Sequence, residues 1–272
     1  MAHSTQQIRP AAVAGMFYPG SSAVLERDLQ QMLRHAPTTM AWPVKAIIAP
    51  HAGYVYSGPI AASVYAPLAA MRERIRRVIL LGPTHRVTVN GLALPSVHAF
   101  ATPLGVVPLD AEAVAAIEQL PQVLISDAAH ALEHSLEVQL PFLQTVLGDF
   151  TLVPLAVGRA SAEQVAEVLE RLWGGDETLI VISSDLSHYL PYALARETDS
   201  DTARHIVALD PNIDHQQACG ATPVNGLLLA ARRHDLQATM IDLRNSGDTA
   251  GDRSRVVGYG AFAFHAESDH AH

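Results

Sequence analysis

The chain has 272 residues, 49% of them hydrophobic and 17% charged, a composition that supports a sizeable core and excludes a disordered chain. Its formal net charge of −9 argues against nonspecific binding to nucleic acid or to an anionic membrane surface. No apolar run reaches the length of a membrane span, and the first residues lack the charged and apolar regions of a signal peptide, so we expect neither. A single cysteine excludes an intramolecular disulfide and favours a reduced, cytoplasmic setting.

Helix and strand patterns alternate along the chain, with short loops marked by proline and glycine. In chain order the predicted elements are a helix at 21–36, a strand at 44–50, a helix at 57–71 with Ser57 as its N-cap, a strand at 76–85, helices at 110–120 and 134–148, a strand at 150–158, a helix at 161–175, a strand at 178–185, helices at 192–209 and 222–234, and strands at 238–245 and 255–264.

Several predicted strands are continuous apolar runs, which is typical of a sheet covered by helices on both faces. Together with the alternating order, this favours a single α/β/α sandwich, a three-layer α/β fold with a mostly parallel or mixed sheet. Residues 266–272 are predicted to be a disordered tail. Such sheets bind ligands beyond the carboxyl ends of their strands, so the residues that follow each apolar run matter most for function.

Polar side chains follow three of the interior strands. His51 comes after "IIAP", His85 after "VILLGPT", and Asp185 after "LIVISS", with His188 three residues further on. Taken singly, a loop histidine is usually a surface residue and an aspartate after a strand usually caps a helix. Their recurrence at the edge where the fold forms its crevice favours a functional site.

Two further segments carry candidate residues. The loop "NSGDTAGDRSR" between the last two strands contains Asp248 and Asp252. In "EHSLE", His134 and Glu137 are three residues apart, so a helix would place both on one face. That face lies away from the leucines of the predicted helix, which are Leu136, Leu140, Leu143 and Leu147. A local helix pair is the simpler interpretation of that spacing.

Two imidazoles and one carboxylate at one edge match the ligand set of non-haem Fe(II) sites, which leave positions open for substrate and dioxygen. His51 and His85 with either Asp248 or Asp185 would supply this set. His188 would then act as an acid or base, because an imidazole titrates near neutral pH. A zinc site with histidine and carboxylate ligands is equally compatible with the spacing.

Other motifs are absent or weak. The sequence has no G-x-S-x-G elbow, no G-x-G-x-x-G and no P-loop, so neither a serine hydrolase nor a nucleotide site is indicated. The only cysteine, Cys219 in "QQACGATPVNG", precedes a helix start, where a thiol pKa can be lowered. We interpret it as a small packing residue.

Six segments, in order along nearly the whole chain, resemble the Memo family. They are "AGMFYPGS", "APHAGYVYSG", "LGPTH", "EHSLEVQLPFLQ", "SSDLSHY" and "VVGYGAFAF". Prokaryotic members of that family are named protein B of the AmmeMemoRadiSam system. The family's fold is similar to that of class III extradiol dioxygenases, an α/β/α sandwich with a metal site at one edge of the sheet. Because the resemblance covers nearly the whole chain, it implies a single domain over residues 1–265.

The resemblance assigns the metal-binding positions to His51 and His85. It places the third position in the loop before the last strand, where the human family member carries a cysteine. In this sequence Asp248 is nearest to that position and Asp252 is its competitor, whereas Cys219 lies in a different segment. A carboxylate there would be a harder ligand than a thiolate, which favours Fe(II) over Cu(I).

The same resemblance assigns roles in catalysis. His188 and Asp185 match the position where the dioxygenases place a catalytic base. His134 and Glu137 match a family motif that faces the same crevice.

Three functions follow as hypotheses. The first is a non-haem iron dioxygenase of the extradiol type that acts on a small diol, with zinc or copper as alternatives to Fe(II). The second is a non-catalytic module that holds a small molecule or a peptide in the crevice and works with AmmeMemoRadiSam companions, a radical-SAM protein among them. The third is a metal-dependent hydrolase with Glu137 or His188 as the base.

Overall fold

The computed structural model describes residues 7–36 and 43–266. Over these ranges the chain forms twelve strands, which are β1 (Ile8–Arg9), β2 (Val44–Ala49), β3 (Arg77–Pro83), β4 (Leu92–Leu94), β5 (Ala99–Thr102), β6 (Gly105–Pro108), β7 (Val123–Ile125), β8 (Thr151–Val157), β9 (Thr178–Ser183), β10 (His188–Leu190), β11 (Leu236–Asn245) and β12 (Val256–Ala266). The eight α-helices of the same ranges are α1 (Ser22–His35), α2 (Tyr54–Tyr65), α3 (Ala111–Ile117), α4 (Asp127–Ala131), α5 (Leu140–Val146), α6 (Ala162–Leu172), α7 (Tyr192–Val207) and α8 (Ala221–Arg233).

Nine strands form one mixed sheet in the order β10-β12-β2-β9-β3-β8-β4-β7, with β11 also paired to β12. The central strands β2, β9, β3 and β8 are parallel. Next to them, β12 runs antiparallel to β2, and β4 runs antiparallel to β8. The predicted α/β fold with a mixed sheet is therefore confirmed. The four parallel strands bring their carboxyl ends to one edge of the sheet, where such folds bind ligands.

Side chains of the central strands alternate between two hydrophobic cores. In β2, Ile47 packs into one core and Ile48 into the other, and Leu80 and Leu81 of β3 divide in the same way. Helices α1, α2 and α5 cover the first core, whereas α3, α6, α7 and α8 cover the second. Burial on both faces, at about 25 cal/mol per Å² of apolar surface, explains why these strands are continuous apolar runs. The molecule is the predicted three-layer sandwich.

The second helix begins earlier than predicted. It starts at Tyr54 and its N-cap is Gly53, so Ser57 is not the N-cap. The Tyr54 N–H donates to the Phe17 carbonyl at 2.8 Å, and the Ser57 hydroxyl donates to the Ala52 carbonyl at 2.8 Å. The N-terminal segment thus supplies a partner for the first turn, which local sequence patterns cannot reveal.

The predicted helix over 134–148 begins later than expected, with a 3-10 turn that starts at Glu137 and continues into α5. The backbone N–H groups of His134 and Ser135 both donate to Glu133 Oε1 at 2.9 Å. This carboxylate holds the residues before Glu137 in a turn. His134 and Glu137 therefore do not share a helix face, and that prediction is wrong.

Several short strands were not predicted, because two to four residues carry too little periodicity. Among them, β1, β5 and β6 form a separate three-stranded sheet. The tail predicted to be disordered began at residue 266, but Ala266 is the last residue of β12, and residues 267–272 lie outside the described part of the chain. None of the helices in the described part of the chain is long and apolar enough to cross a membrane.

Candidate metal centre

Three imidazoles meet at the carboxyl edge of the sheet. His51 follows β2, His85 follows β3, and His134 lies in the turn before α5. One ring nitrogen of each lies within 4.8 Å of a ring nitrogen of the other two. The ring centroids of His51 and His85 are 5.2 Å apart, and those of His85 and His134 are 4.6 Å apart. This group could hold one metal ion.

A chain of hydrogen bonds fixes the tautomer of His51. Ser183 Oγ donates its only proton to the Ser135 carbonyl at 2.6 Å, because a carbonyl oxygen cannot donate. Gln139 Nε2 donates to the same hydroxyl at 2.7 Å. The 2.9 Å contact between His51 Nδ1 and Ser183 Oγ must therefore be an N–H donated by the imidazole. His51 then has its lone pair on Nε2, the form that a metal ligand requires.

Glu133 acts on His85 in the same way. Its carboxylate is 1% exposed, lies 2.9 Å from His85 Nδ1 and accepts the His85 backbone N–H at 2.6 Å. Burial alone would raise the pKa of Glu133, but the hydrogen bonds and charge of His85 outweigh it and lower that pKa to about 2. An ionised carboxylate can only accept, so His85 Nδ1 carries the proton and Nε2 is left with a lone pair.

Two of the three rings are held neutral by their surroundings. Burial, assisted by the charges of His85 and His134, holds the pKa of His51 well below its usual range. Burial also lowers the pKa of His134 to about 4. Metal binding at neutral pH therefore does not have to displace a proton from either ring.

His134 has a buried nitrogen that lacks a partner. Its Nδ1 makes no hydrogen bond, although Glu133 Oε1 lies 3.3 Å away. The ring packs against Phe17, with the centroids 4.6 Å apart. A buried polar atom without a partner costs free energy and calls for an explanation such as a missing ion.

Cys219 also lies at the cluster, which corrects its interpretation as a packing residue. Its Sγ is 3.3 Å from His51 Nε2 and 3.6 Å from the Asp185 carbonyl. Burial, together with the charge of Asp185, raises the pKa of this thiol to about 12. Without a metal ion the protonated thiol can donate to His51 Nε2, and coordination would favour the thiolate. Cys219 is thus a fourth candidate ligand.

Asp185 supports the turn that carries His51. Its buried carboxylate accepts the His51 backbone N–H at 2.7 Å. Burial raises the pKa of Asp185 to about 7, partly offset by the N–H groups of His51 and Ala52. Within the described residues Asp185 is not part of the metal-binding group, and no hydrogen bond joins it to His188.

His188 begins β10 and is half-buried. It lines a cavity of about 670 Å³ together with His85 and Cys219. Burial lowers the pKa of His188. The structure therefore places this predicted acid–base residue beside the imidazole cluster without making it a member.

The loop before β12 does not reach the cluster. Asp248 Oδ1 accepts the Tyr192 hydroxyl at 2.6 Å, and its Oδ2 accepts the Asn245 backbone N–H at 3.1 Å. Asp252 is exposed and accepts hydrogen bonds from its own loop. The third ligand expected from Asp248 or Asp252 is therefore absent from the group found in the described residues, where His134 occupies that role.

Glu137 faces away from the crevice, contrary to prediction. Its carboxylate is fully buried, forms an ion pair with Arg9 at 2.7 Å and accepts the Tyr18 hydroxyl at 2.6 Å. It also accepts the Val13 backbone N–H at 3.0 Å. Glu137 thus ties the N-terminal segment to the start of α5, because all the hydrogen bonds that its carboxylate accepts within the described residues come from that segment.

Comparison with known proteins identifies the family. The family model described as "Memo-like protein" matches residues 9–263. The chain belongs to the Memo family. This Memo-family chain is 36% identical to a MEMO1 family protein of Ignicoccus hospitalis, over 94% of this chain and 98% of that protein. It is 37% identical to a MEMO1 family protein of Aquifex aeolicus, over 93% and 97% of the two chains.

A solved structure has a similar fold. An uncharacterized protein from Escherichia coli K12 superposes on the Memo-family chain with a TM-score of 0.51 and 15% sequence identity. The match covers 79% of this chain and 99% of the other. At this identity the likeness concerns the fold alone.

The donor set of the Memo-family chain fits a transition-metal ion. Imidazole suits zinc, copper, iron and nickel, and a thiol adds a soft ligand. One ring nitrogen of His134 and the lone pairs on His51 Nε2 and His85 Nε2 would provide the donor atoms. Because Asp248 lies elsewhere, the expectation that a carboxylate selects Fe(II) loses its basis.

Sequence reasoning missed the residues that orient the ligands. Glu133 directly precedes His134 in "EHSLE", and an acidic neighbour of a candidate ligand is a signal for an orienting carboxylate. Ser183, which follows the same apolar run as Asp185, could have been found in the same way. Cys219 had one usable signal, its position before a helix start.

Proposed function

We propose that this Memo-family protein is a metal-dependent enzyme that acts on a small molecule beside the imidazole cluster. The observation that carries the proposal is the pair of hydrogen bonds that fix the tautomers of His51 and His85. Each bond occupies Nδ1 and leaves Nε2 as a donor atom. Carboxylate or hydroxyl partners on the far nitrogen are typical of histidines that ligate metals.

The crevice supports a small substrate. The cavity of about 670 Å³ has the size of ordinary small-molecule sites, and Leu190 and Leu194 give it apolar surface. His188 lines it, and the lowered pKa leaves this imidazole neutral at pH 7. A neutral imidazole at this position can accept a proton from a substrate hydroxyl.

For the reaction we propose oxygen-dependent cleavage of a small diol, with Fe(II) as the resident metal. Bound iron would supply the binding and activation of dioxygen. His51, His85 and His134 would hold the ion, and His188 would take up the proton of the substrate hydroxyl. Support comes from the sequence resemblance to a family whose fold is similar to that of the extradiol dioxygenases.

Metal analysis tests the site itself. Protein purified without chelators should contain about one transition-metal ion per chain, and the His51→Ala and His85→Ala variants should contain less than about a tenth of that. His188→Ala is the matched control and should keep the ion, because His188 is not in the cluster. Equal metal content in all four proteins would overturn the proposed site.

Oxygen uptake tests the reaction. The protein is reconstituted anaerobically with Fe(II) and then mixed with a panel of catechol-like diols in an oxygen electrode. We expect uptake that depends on both iron and diol and that falls by about 10²- to 10⁴-fold in His188→Ala, the range for loss of a general base. No uptake with any diol, at full iron content, would exclude the reaction while leaving the metal site intact.

Metal-dependent hydrolysis is the second candidate, favoured by the composition of the cluster. Three histidines with no carboxylate form a known ligand set for catalytic zinc, which activates a bound water. His188 would then serve as the base, since Glu137 is occupied by Arg9. Zinc instead of iron in the purified protein, together with ester hydrolysis that chelators abolish, would support this candidate over the first.

A further inference from the structure

A second cavity meets the first at Cys219 and His215, which line both. Its volume is about 650 Å³. Thr84, which directly precedes His85, lines one wall, and Cys219 on the other contacts His51 Nε2 at 3.3 Å. The two cavities are thus neighbouring lobes of one crevice, and the imidazole cluster lies where they join.

The lining of the second cavity is basic, although the chain as a whole is acidic. The chain carries a net charge of −9, yet none of the residues that line this cavity is acidic. The lining contains one guanidinium, one imidazole, three threonine hydroxyls and one amide, from Arg159, His215, Thr84, Thr88, Thr222 and Gln164. A lobe rich in hydrogen-bond donors and free of carboxylates is suited to a negatively charged group.

Arg159 is the main source of this charge. It lies two residues beyond β8, at the ligand-binding edge of the parallel strands. Within residues 7–36 and 43–266 no carboxylate lies within ion-pair distance of its guanidinium. An unpaired guanidinium is free to bind a carboxylate or a phosphate with two parallel hydrogen bonds. The overall negative charge of the chain would repel such a group, so binding depends on local donors of this kind.

The start of α8 adds to the same wall. This helix of 13 residues begins at Ala221, and its N-cap, Gly220, has no side chain that could accept a hydrogen bond. The Ala221 N–H donates to the Ala218 carbonyl at 3.1 Å and Pro223 has no N–H, so the Thr222 N–H is the donor that the first three residues leave for a ligand. Thr222, in the first turn, lines the cavity, and its hydroxyl lies 3.3 Å from His215 Nε2. The partial positive charge of a helix N-terminus strengthens an anion site that already has a guanidinium.

We infer that the second cavity binds an anionic group of the substrate, a carboxylate or a phosphate, through Arg159, and so directs the rest of the molecule towards the imidazole cluster. This inference rests on the proposed function for the idea of a substrate. The anion site itself requires no metal. The substrate class is therefore a small molecule that carries a carboxylate or a phosphate, and the proposed diol would carry this group in addition to its two hydroxyls.

Binding of simple anions to metal-free protein tests the inference. The full chain is stripped with a chelator, which removes direct coordination of the anion by a metal ion, and is titrated by calorimetry at constant ionic strength. The probes are inorganic phosphate, benzoate and the neutral analogue benzamide. Variants are Arg159→Gln, which removes the charge, Arg159→Lys, which keeps it without the two-pronged geometry, and Arg232→Gln, an exposed arginine outside the cavity, as the control.

We expect phosphate, benzoate or both to bind saturably and benzamide not to bind. Arg159→Gln should weaken binding by about tenfold or more, Arg159→Lys by less, and Arg232→Gln not at all. The single cysteine gives a second readout, because a bound anion should slow alkylation of Cys219 in the parent protein but not in Arg159→Gln.

Binding of phosphate alone would support a phosphate ester as substrate, and binding of benzoate alone would support a carboxylic acid. No saturable binding of either anion, or equal affinity in the parent and Arg159→Gln, would overturn the inference. Metal content measured on the unstripped protein shows separately whether the proposed metal site holds.

Discussion

The partner of one ring nitrogen decides what the other nitrogen of an imidazole can do. At His51 the partner is the Ser183 hydroxyl, and at His85 it is the Glu133 carboxylate. Both bonds leave Nε2 as the donor atom. The two residues thus prepare a metal site before any ion is bound, which lowers the cost of organising it on binding.

Glu133→Gln should weaken metal binding by about ten- to a hundredfold. The Glu133 carboxylate accepts four N–H groups, from His85 ring and backbone, His134 and Ser135. Glutamine has an NH₂ group where glutamate has its second carboxylate oxygen. This NH₂ group would face an N–H donor instead of accepting from it, so His85 would lose its orientation. The metal dissociation constant, measured by competition with a chromophoric chelator, gives the size of the effect.

Glu137→Gln is the matched control four residues along the chain. It breaks the buried pair with Arg9, which should lower the free energy of unfolding by about 3 to 5 kcal/mol while leaving the metal dissociation constant within about twofold. An unchanged metal affinity in Glu133→Gln, or an equal loss in both variants, would show that Glu133 does not orient the ligands.

The sequence predicted the histidines of the site better than its carboxylates. His51 and His85 follow buried strands, so their arrival at one edge is a consequence of sheet geometry. Asp248 lies in a loop whose course depends on Tyr192, a residue far away in sequence. Cys219 reaches His51 because its backbone N–H donates to the Asp185 carbonyl, a tertiary contact with no local signature.

At the scale of elements, the segment between β9 and β10 is clamped by β12 and α7. The Leu186 N–H donates to the Gly258 carbonyl and the Gly258 N–H to the Ser187 carbonyl, both at 2.8 Å. The Ser187 N–H donates to Asp199 Oδ1 on α7 at 3.0 Å. These bonds fix the backbone directly before His188, so α7 and β12 position the candidate acid–base residue.

Gly258→Ala should destabilise the protein by about 1 to 3 kcal/mol, the usual cost of overpacking. A Cβ at position 258 would lie 2.0 Å from Asp199 Oδ2, so either the Asp199 side chain must leave its hydrogen bond with the Ser187 N–H or β12 and α7 must move apart. Removing the carboxylate makes room, so the double variant Gly258→Ala with Asp199→Ala should be more stable than the two single effects added together. Urea denaturation of the four proteins measures this coupling.

Gly148→Ala is the control for a glycine with open surroundings. Its Cβ would meet no atom closer than 3.5 Å, so a change of less than about 0.5 kcal/mol is expected. If Gly258→Ala were as stable as this control, or if the two substitutions were simply additive, the contact between β12 and α7 would not clamp the segment.

The central elements were predictable and the peripheral ones were not. Strands β2, β3, β8 and β9 are buried on both faces, so nearly every residue in them has to be apolar. Such strands are recognisable in the sequence as continuous apolar runs. The start of α2 depends on the Phe17 carbonyl, which accepts the Tyr54 N–H, and the turn before α5 depends on the Glu133 carboxylate, which accepts the His134 N–H. The periodicity of the helices themselves does not reveal either contact. Element type follows from periodicity, whereas element boundaries follow from tertiary hydrogen bonds.

For the molecule as a whole, the sheet separates two cores that are almost entirely apolar, and α7 closes the second of them. Asp199 lies on this helix and is 3% exposed. Burial raises its pKa to about 6, although the hydrogen bond from Ser187 opposes the shift. Ionisation of Asp199 at neutral pH therefore lowers the free energy of unfolding, although the same carboxylate holds the segment before His188 by accepting the Ser187 N–H.

The sign of the resulting pH dependence follows from the direction of the shift. Unfolded, Asp199 has a pKa of about 4, so between about pH 4 and pH 6 the folded protein binds more protons at this residue than the unfolded chain. The contribution of Asp199 to stability therefore falls as pH rises through this window. A shift of about two units corresponds to about 3 kcal/mol, and above about pH 6 the cost is constant.

Asp199→Asn should remove this cost and keep the hydrogen bond, because the amide oxygen still accepts the Ser187 N–H. Relative to the parent, the variant should gain up to about 3 kcal/mol at pH 7 and almost nothing at about pH 4. Free energies of unfolding from urea titrations across this range give the difference, in which the other carboxylates cancel. A difference that is constant with pH would mean that burial does not raise the pKa of Asp199 in the folded protein. A loss of stability at pH 7 would mean instead that the carboxylate contributes through its charge, as a group that the segment before His188 needs in ionised form.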